Sequence, residues 1–129
     1  MSAVSERYSR GLDLFRELHP KAATQLDAAF GDIAPDLMRY VVEFPFGEIY
    51  QRPGLAKRER QIATIACLAT RGDARDQLKI HLRIGLNIGI TRQELVEVNL
   101  QLIPYAGFPA AINAMNTLAD LVQEDAPSD

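Results

Sequence analysis

The sequence predicts an all-α fold, and three observations lead there. Segments of helix length recur between regular stops at His19-Pro20, Gly31, Gly72-Asp73, Gly89 and Pro104. The one stretch that alternates as a strand would, LKIHLRIGLNIGI at residues 78–90, has no second convincing strand to pair with. Extended back to Arg75, the same stretch shows a competing four-residue period, Arg75, Lys79, Arg83 and Asn87, which is one polar stripe of a helix. As a strand it would run roughly 43 Å at about 3.3 Å per residue, far beyond ordinary strands and with its backbone groups unpartnered. The helix explains more of the segment.

Composition agrees with one soluble globular domain. The chain has 129 residues, 47% of them hydrophobic and 24% charged, enough for one core and too few for a second domain. One domain over residues 1–129 is expected, with a disordered polar tail from about residue 124. A net charge of −3, with basic residues interspersed among acids, offers no field for phosphate backbones, so nucleic acid is not an expected partner. One cysteine, Cys67, cannot form an intrachain disulfide, and the N-terminal MSAVSERYSRG has no apolar targeting core. No run of eighteen apolar residues is present, so no membrane span is expected and the cytoplasm is the default location.

The elements follow in order. Ser5 to Leu18 carries Tyr8, Leu12, Leu14, Phe15 and Leu18 and stops before Pro20, because a residue preceding proline is pushed out of the α region. Ala22 to Phe30, ended by Gly31, is a shorter second helix. Pro35 to about Phe44 is a third, with Pro35 suited to a first turn. FPFGEIYQRPGL, residues 44–55, reads as a loop rich in Pro, Gly and aromatics. Lys57 to Thr70 contains IATIACLA, apolar on nearly every side, as in a helix surrounded by protein in which Cys67 is a small buried side chain. The next helix starts near Arg75 and takes Gly89 as its C-cap. Thr91 and Glu94 have capping-box spacing for a following helix with Leu95, Val98 and Leu102 on one face, ended by Pro104. Pro109 opens the last helix, with Ile112, Met115, Ala119 and Val122 turned inward. There is no internal repeat and no low-complexity segment.

The helical reading settles the surroundings of His81. At about 100° per residue, Leu78, Ile84, Gly85 and Ile88 fall around it, with Lys79, Arg83 and Asn87 on the far side. His81 is then the one titratable group on an apolar face. Spacing leaves two readings open: a core histidine whose ring meets a backbone carbonyl, or a general acid or base in a dry pocket.

Three stretches, in order along the chain, resemble a known family: GEIYQRPGL, IHLRIGLNIGITRQEL and YAGFPAA. They are similar to the γ-carboxymuconolactone decarboxylases of the protocatechuate branch of aromatic degradation, and RYSRGLDLFRELHP resembles that family's start, so the likeness covers nearly the whole chain. It implies an alkylhydroperoxidase D-like fold of about six helices with a central antiparallel helix pair. It also implies a homo-oligomer, a hexamer or trimer. Peroxidase members of that wider class use a Cys-x-x-Cys pair just before the histidine; here the loop TRGDARDQLKIH has no cysteine. The glutamate of their proton relay aligns most naturally with Gln61, although Glu59 is close by. Peroxide-linked redox chemistry is therefore disfavoured.

The resemblance implies decarboxylation of 4-carboxymuconolactone, or a similar small carboxylated lactone, to an enol-lactone. The carboxylate lost sits on a ring carbon conjugated to the lactone carbonyl, so the substrate carries its own electron sink. No cofactor is expected. Nor is a metal, since His19 and His81 are far apart with no ligand spacing. His81 suits the acid that reprotonates carbon. The substrate's carboxylates call for cations, and Arg52, beside Pro53-Gly54, and Arg60, one turn into the next helix, are the binding candidates. Their ordinary alternative is a surface ion pair with Glu48 or Glu59. Glu48 reads as orienting an arginine or His81 or assisting proton transfer, with a helix-end charge as its alternative. Arg83 projects away from His81 and reads as structural. Tyr105 is a hydrogen-bond donor for a developing oxyanion or, alternatively, a packing residue with a wet tip. The competing class is a non-catalytic oligomeric binding or stress-associated protein that kept the scaffold.

Overall fold

The computed structural model describes residues 4–127. The chain divides into two compact units, one ending at Lys57 and the other beginning at Arg58. Every regular element among the described residues is helical, as expected.

The first unit contains α1 (Glu6–Leu18), α2 (Pro20–Phe30), α3 (Pro35–Val41) and a π-helical segment (Val42–Ile49). Ser5 caps α1 by accepting from the Tyr8 N–H at 3.0 Å. His19 serves both neighbours: its backbone N–H closes α1 on the Phe15 carbonyl at 2.8 Å, and its Nδ1 accepts from the Ala22 N–H at the start of α2. With Pro20 in the first turn, α2 begins two residues earlier than the sequence suggests.

The expected loop after Phe44 is instead helical through Ile49. Pro45 has no N–H and its ring would clash in an α-helix, and the chain winds past it in wider turns. Tyr50 N–H reaches the Pro45 carbonyl, five residues back, at 2.8 Å. The continuation carries Phe46 onto Phe15, ring centroids 4.4 Å apart, and Tyr50 onto Phe46 at 5.4 Å. Glycines let α1 and this segment meet: a Cβ on Gly11 would lie 2.0 Å from the Val42 carbonyl oxygen, and one on Gly47 would lie 2.2 Å from the Arg7 oxygen.

The second unit contains all but the first residue of α4 (Lys57–Arg71), then α5 (Arg75–Asn87), α6 (Arg92–Gln101), α7 (Ile103–Ala106) and α8 (Phe108–Glu124). Against the expected count of about six helices, the described residues form seven α-helices of more than one turn, together with the π-helical segment and the single turn α7. Residues 78–87 coil, as the polar stripe requires. Helix α5 ends with Gly89 at φ +101, Gly89 N–H on the Leu86 carbonyl and Ile90 N–H on the Gly85 carbonyl. These are the two hydrogen bonds of a Schellman turn, which needs a residue free to adopt positive φ. Thr91 and Glu94 then form the expected capping box.

A core of Ile65, Ala69, Leu78, Leu82, Ile90, Leu95, Leu102, Ala114, Leu118 and Leu121 joins α4, α5, α6 and α8. The stripe on α5 faces acids on α8: Arg75 pairs with Asp120, Lys79 with Glu124, and Arg83 with Asp125 at 2.6 Å. Partner numbers rise together, so α5 and α8 run in the same direction. Of the expected polar tail, Glu124 is helical and Asp125 holds Arg83, while Ser128 and Asp129 lie outside the described residues.

Two burial expectations need correction. The last helix turns Ala111, Ala114, Thr117, Leu118 and Leu121 inward, with Ile112 and Ala119 exposed and Met115 and Val122 at the margin. Both faces of this helix are apolar, and the one with smaller side chains permits close approach to its neighbours. In α4 only Gln61, Ile65 and Ala69 are buried, so IATIACLA is not enclosed within the chain and Cys67 is exposed rather than buried. Among the described residues no helix is long and apolar enough to cross a membrane.

The reciprocal glycine contact makes Gly11→Ala costly. Urea unfolding should show a loss of about 3 kcal/mol or more, as for overpacking against unyielding backbone. Gly54→Ala, with open space around the new carbon, should stay within roughly 0.5 kcal/mol of wild type.

A second test is electrostatic. Both Glu94 oxygens meet the Arg58 guanidinium, and this pairing, then the Thr91 backbone N–H, holds the Glu94 carboxyl down at about 2. Between 4.5, its ordinary value, and about 2 the unfolded chain binds more protons, so stability falls as pH falls through that window and is undiminished above it. Solvent and salt screen the effect at this exposed position. The urea midpoint of wild type should therefore drop more steeply across that window than that of Glu94→Gln; equal slopes would contradict the role of the pair.

Candidate active site

Helices α4 and α5 bring together one pair of side chains with chemical potential. His81 is half-buried on α5, and its Nδ1 lies 2.9 Å from Oε1 of Gln61 on α4. A carboxamide oxygen only accepts, so in this arrangement Nδ1 carries a hydrogen. Neither sequence reading of His81 names this partner: the ring meets a buried side-chain amide of the neighbouring helix.

Gln61 is fully buried, in line with Ile65 and Ala69 along the inner stripe of α4. Its Nε2 has no acceptor among the described residues. A buried donor left without a partner costs about 1–3 kcal/mol. Asn99 is the other fully buried amide, with Nδ2 4.0 Å from the Met115 sulfur and no partner for Oδ1 among the described residues. Gln61 differs in touching a titratable ring.

The remaining sequence candidates fall in several places. Arg60 precedes Gln61 on α4 and is half-buried, with its Nε wholly inside. Tyr105 lies on the short α7 and is 84% exposed. Glu48 and Arg52 belong to the first unit, Glu48 near the end of the π-helical segment and Arg52 in the turn after it, where its N–H meets the Ile49 carbonyl at 3.2 Å. Glu48 has Arg7 as an ion partner at 3.7 Å, and Glu59 has Arg58 at 3.8 Å. Both glutamates are solvated, so these pairs are worth little. Arg83, as its projection implies, serves the α5–α8 seam.

Two surface grooves contain none of these residues. One in the first unit is lined by Tyr8, Asp27, Asp36, Arg39 and Glu43 among others, and a smaller one in the second by Leu68, Leu78, Asn113 and Thr117 among others. Among the described residues no three His, Cys, Asp or Glu side chains converge as a metal site requires.

Sequence reasoning missed Gln61 as the partner of His81, noting it only as the place where a relay glutamate is lacking. A signal was available: Gln61, Ile65 and Ala69 recur every four residues, which puts the amide on a buried stripe.

Comparison with known proteins gives a consistent picture. The family model described as Carboxymuconolactone decarboxylase family matches residues 35–120. A 4-carboxymuconolactone decarboxylase of Acinetobacter baylyi is 34% identical over 120 residues, 92% of this chain and 89% of that protein. A nitrosuccinic acid decarboxylase of Metarhizium robertsii is 32% identical over 88 residues, 65% of this chain and 61% of that protein. An uncharacterized 15.0 kDa protein of Paracoccus denitrificans is 26% identical over 116 residues, 89% of this chain and 87% of that one.

Proposed function

The chain belongs to the carboxymuconolactone decarboxylase family, and from that premise we propose that it removes CO₂ from 4-carboxymuconolactone, or a similar small carboxylated lactone, and releases an enol-lactone. The observation that carries this reading is the likeness, along nearly the whole chain, to a relative named for that reaction. A second relative is also named a decarboxylase, for a different acid. The shared element is loss of CO₂ from a small carboxylate, and the lactone is the finer assignment.

The chemistry asks little of the protein. When the bond to the departing carboxylate breaks, its electron pair enters the ring and delocalises onto the lactone oxygen as a dienolate. A proton then adds to the carbon beside that carbonyl, and the double bond is left next to the ring oxygen. The protein has to hold the retained carboxylate, stabilise the developing oxyanion and deliver one proton. A cation bound tightly to the departing carboxylate would oppose the reaction, because that charge disperses in the transition state. An arginine, Arg52 or Arg60, therefore serves best on the carboxylate that stays.

In this reading His81, as imidazolium, gives its Nε2 proton to carbon and recovers one from water. Tyr105 donates to the oxyanion, and Glu48 orients an arginine or assists proton transfer. The substrate is a small-molecule carboxylate of the protocatechuate branch, and the reaction runs in the cytoplasm in a homo-oligomer, a hexamer or trimer. Exposed Tyr105, Phe108 and Ile112, on α7 and α8, supply an apolar face for self-association.

Purified protein given 4-carboxymuconolactone should release CO₂. His81→Ala should lower kcat about 10²–10⁴-fold, the usual worth of a positioned acid. Arg60→Ala should act mainly on KM, as loss of uniform binding does. No CO₂ from wild type, under conditions where the Acinetobacter baylyi relative turns over, removes the substrate assignment. Ligand-induced thermal stabilisation without CO₂ would favour a binding protein. Full activity in His81→Ala removes the acid role.

A further inference from the structure

The contact between α4 and α5 supports one more step, which rests on the proton-donor role of His81 proposed above. We propose that Gln61 is a positioning residue that holds His81 as its Nδ1–H tautomer, and so makes Nε2 the nitrogen that gains and gives up the transferable proton.

The geometry supplies the first argument. Gln61 Oε1 is 2.9 Å from His81 Nδ1, and the glutamine is fully buried within α4, so its amide is not a solvated side chain free to drift. The second argument concerns orientation. An amide turned the other way would point its NH₂ at Nδ1 and force the opposite tautomer. That arrangement fails when the ring is protonated, because two donors then face each other. With the oxygen facing Nδ1, the same hydrogen bond survives in both the neutral and the charged ring. A histidine that cycles between those states needs the oxygen-facing form.

The third argument concerns charge. A glutamate at this fully buried position would need a counter-charge and would favour a standing imidazolium. The neutral amide fixes the ring without holding it charged. The buried Nε2 hydrogens that lack an acceptor among the described residues are the cost of placing the oxygen where the imidazole needs it.

The test is spectroscopic and uses no substrate. In ¹⁵N-labelled protein, at a pH where His81 is neutral, its Nδ1 should show the shift of a protonated ring nitrogen and Nε2 that of a bare one. His19 is an internal reference of opposite kind, since its Nδ1 accepts from the Ala22 N–H at 3.2 Å. Gln61→Met, which keeps the length and removes the acceptor, should turn the dominant Nδ1–H form into the minor one. Gln61→Glu should restore a protonated Nδ1, now in an imidazolium whose Nε2 is protonated as well. A bare Nδ1 and protonated Nε2 in wild type would overturn the proposal, as would a Gln61→Met spectrum indistinguishable from wild type. If Gln61→Met does not fold, the wild-type spectrum still decides, because it must show a protonated Nδ1 beside a bare Nε2. These results are independent of CO₂ release, so a failed tautomer assignment and a failed substrate assignment are told apart.

Discussion

The rotation of α5 about its own axis is the constraint on which the second unit depends. Leu78, Leu82 and Gly85 must face the core while Arg75, Lys79 and Arg83 must reach Asp120, Glu124 and Asp125 on α8. Only one rotation satisfies both. The ion pairs are solvated and individually worth little, so apolar burial holds the helices together and the charges fix direction and register. Once that rotation is set, His81 lands at the edge of the core, opposite Gln61. The Schellman turn at Gly89 and the capping box of Thr91 and Glu94 then fix where α5 stops and α6 starts.

Much of this was legible in the sequence where backbone chemistry dictates it. Caps, glycines and prolines announced nearly every helix end in the second unit, and a four-residue charge period overruled a conspicuous two-residue alternation. The misreadings have physical reasons. Pro45 and Gly47 suggested a loop, but a wider helical turn tolerates proline, and Gly47 is there for the close approach to α1. In α8 and α4 apolar residues occupy more than one face, so periodicity could not say which one the chain buries. Ile112 and Cys67 were accordingly assigned to the wrong side.

The candidate site was legible only by residue type. His81 stands out as a lone titratable group on an apolar face, whereas Gln61 looks like any helix-surface glutamine until Ile65 and Ala69 define its stripe. Pairings across elements are set by the rotation of both helices, which is not encoded in either segment alone. Arg60, next to Gln61 on a helix, projects about 100° away from it. Adjacency in sequence therefore says nothing about sharing a ligand.

The identity of the residue facing His81 also bears on which chemistry this scaffold can run. A thiol relay needs a partner that takes and returns protons, and a carboxylate next to imidazole does so. A carboxamide cannot change its protonation in this range; it can orient a ring but cannot pass a proton onward. With Gln61 at Nδ1, the proposed proton transfer through His81 falls to the other nitrogen. Decarboxylation on the proposed path requires one proton to be delivered once per turnover to one carbon, while the substrate accommodates the electrons. A single directed nitrogen meets that requirement, and a neutral partner lets the ring return to its starting state without first separating from a buried anion.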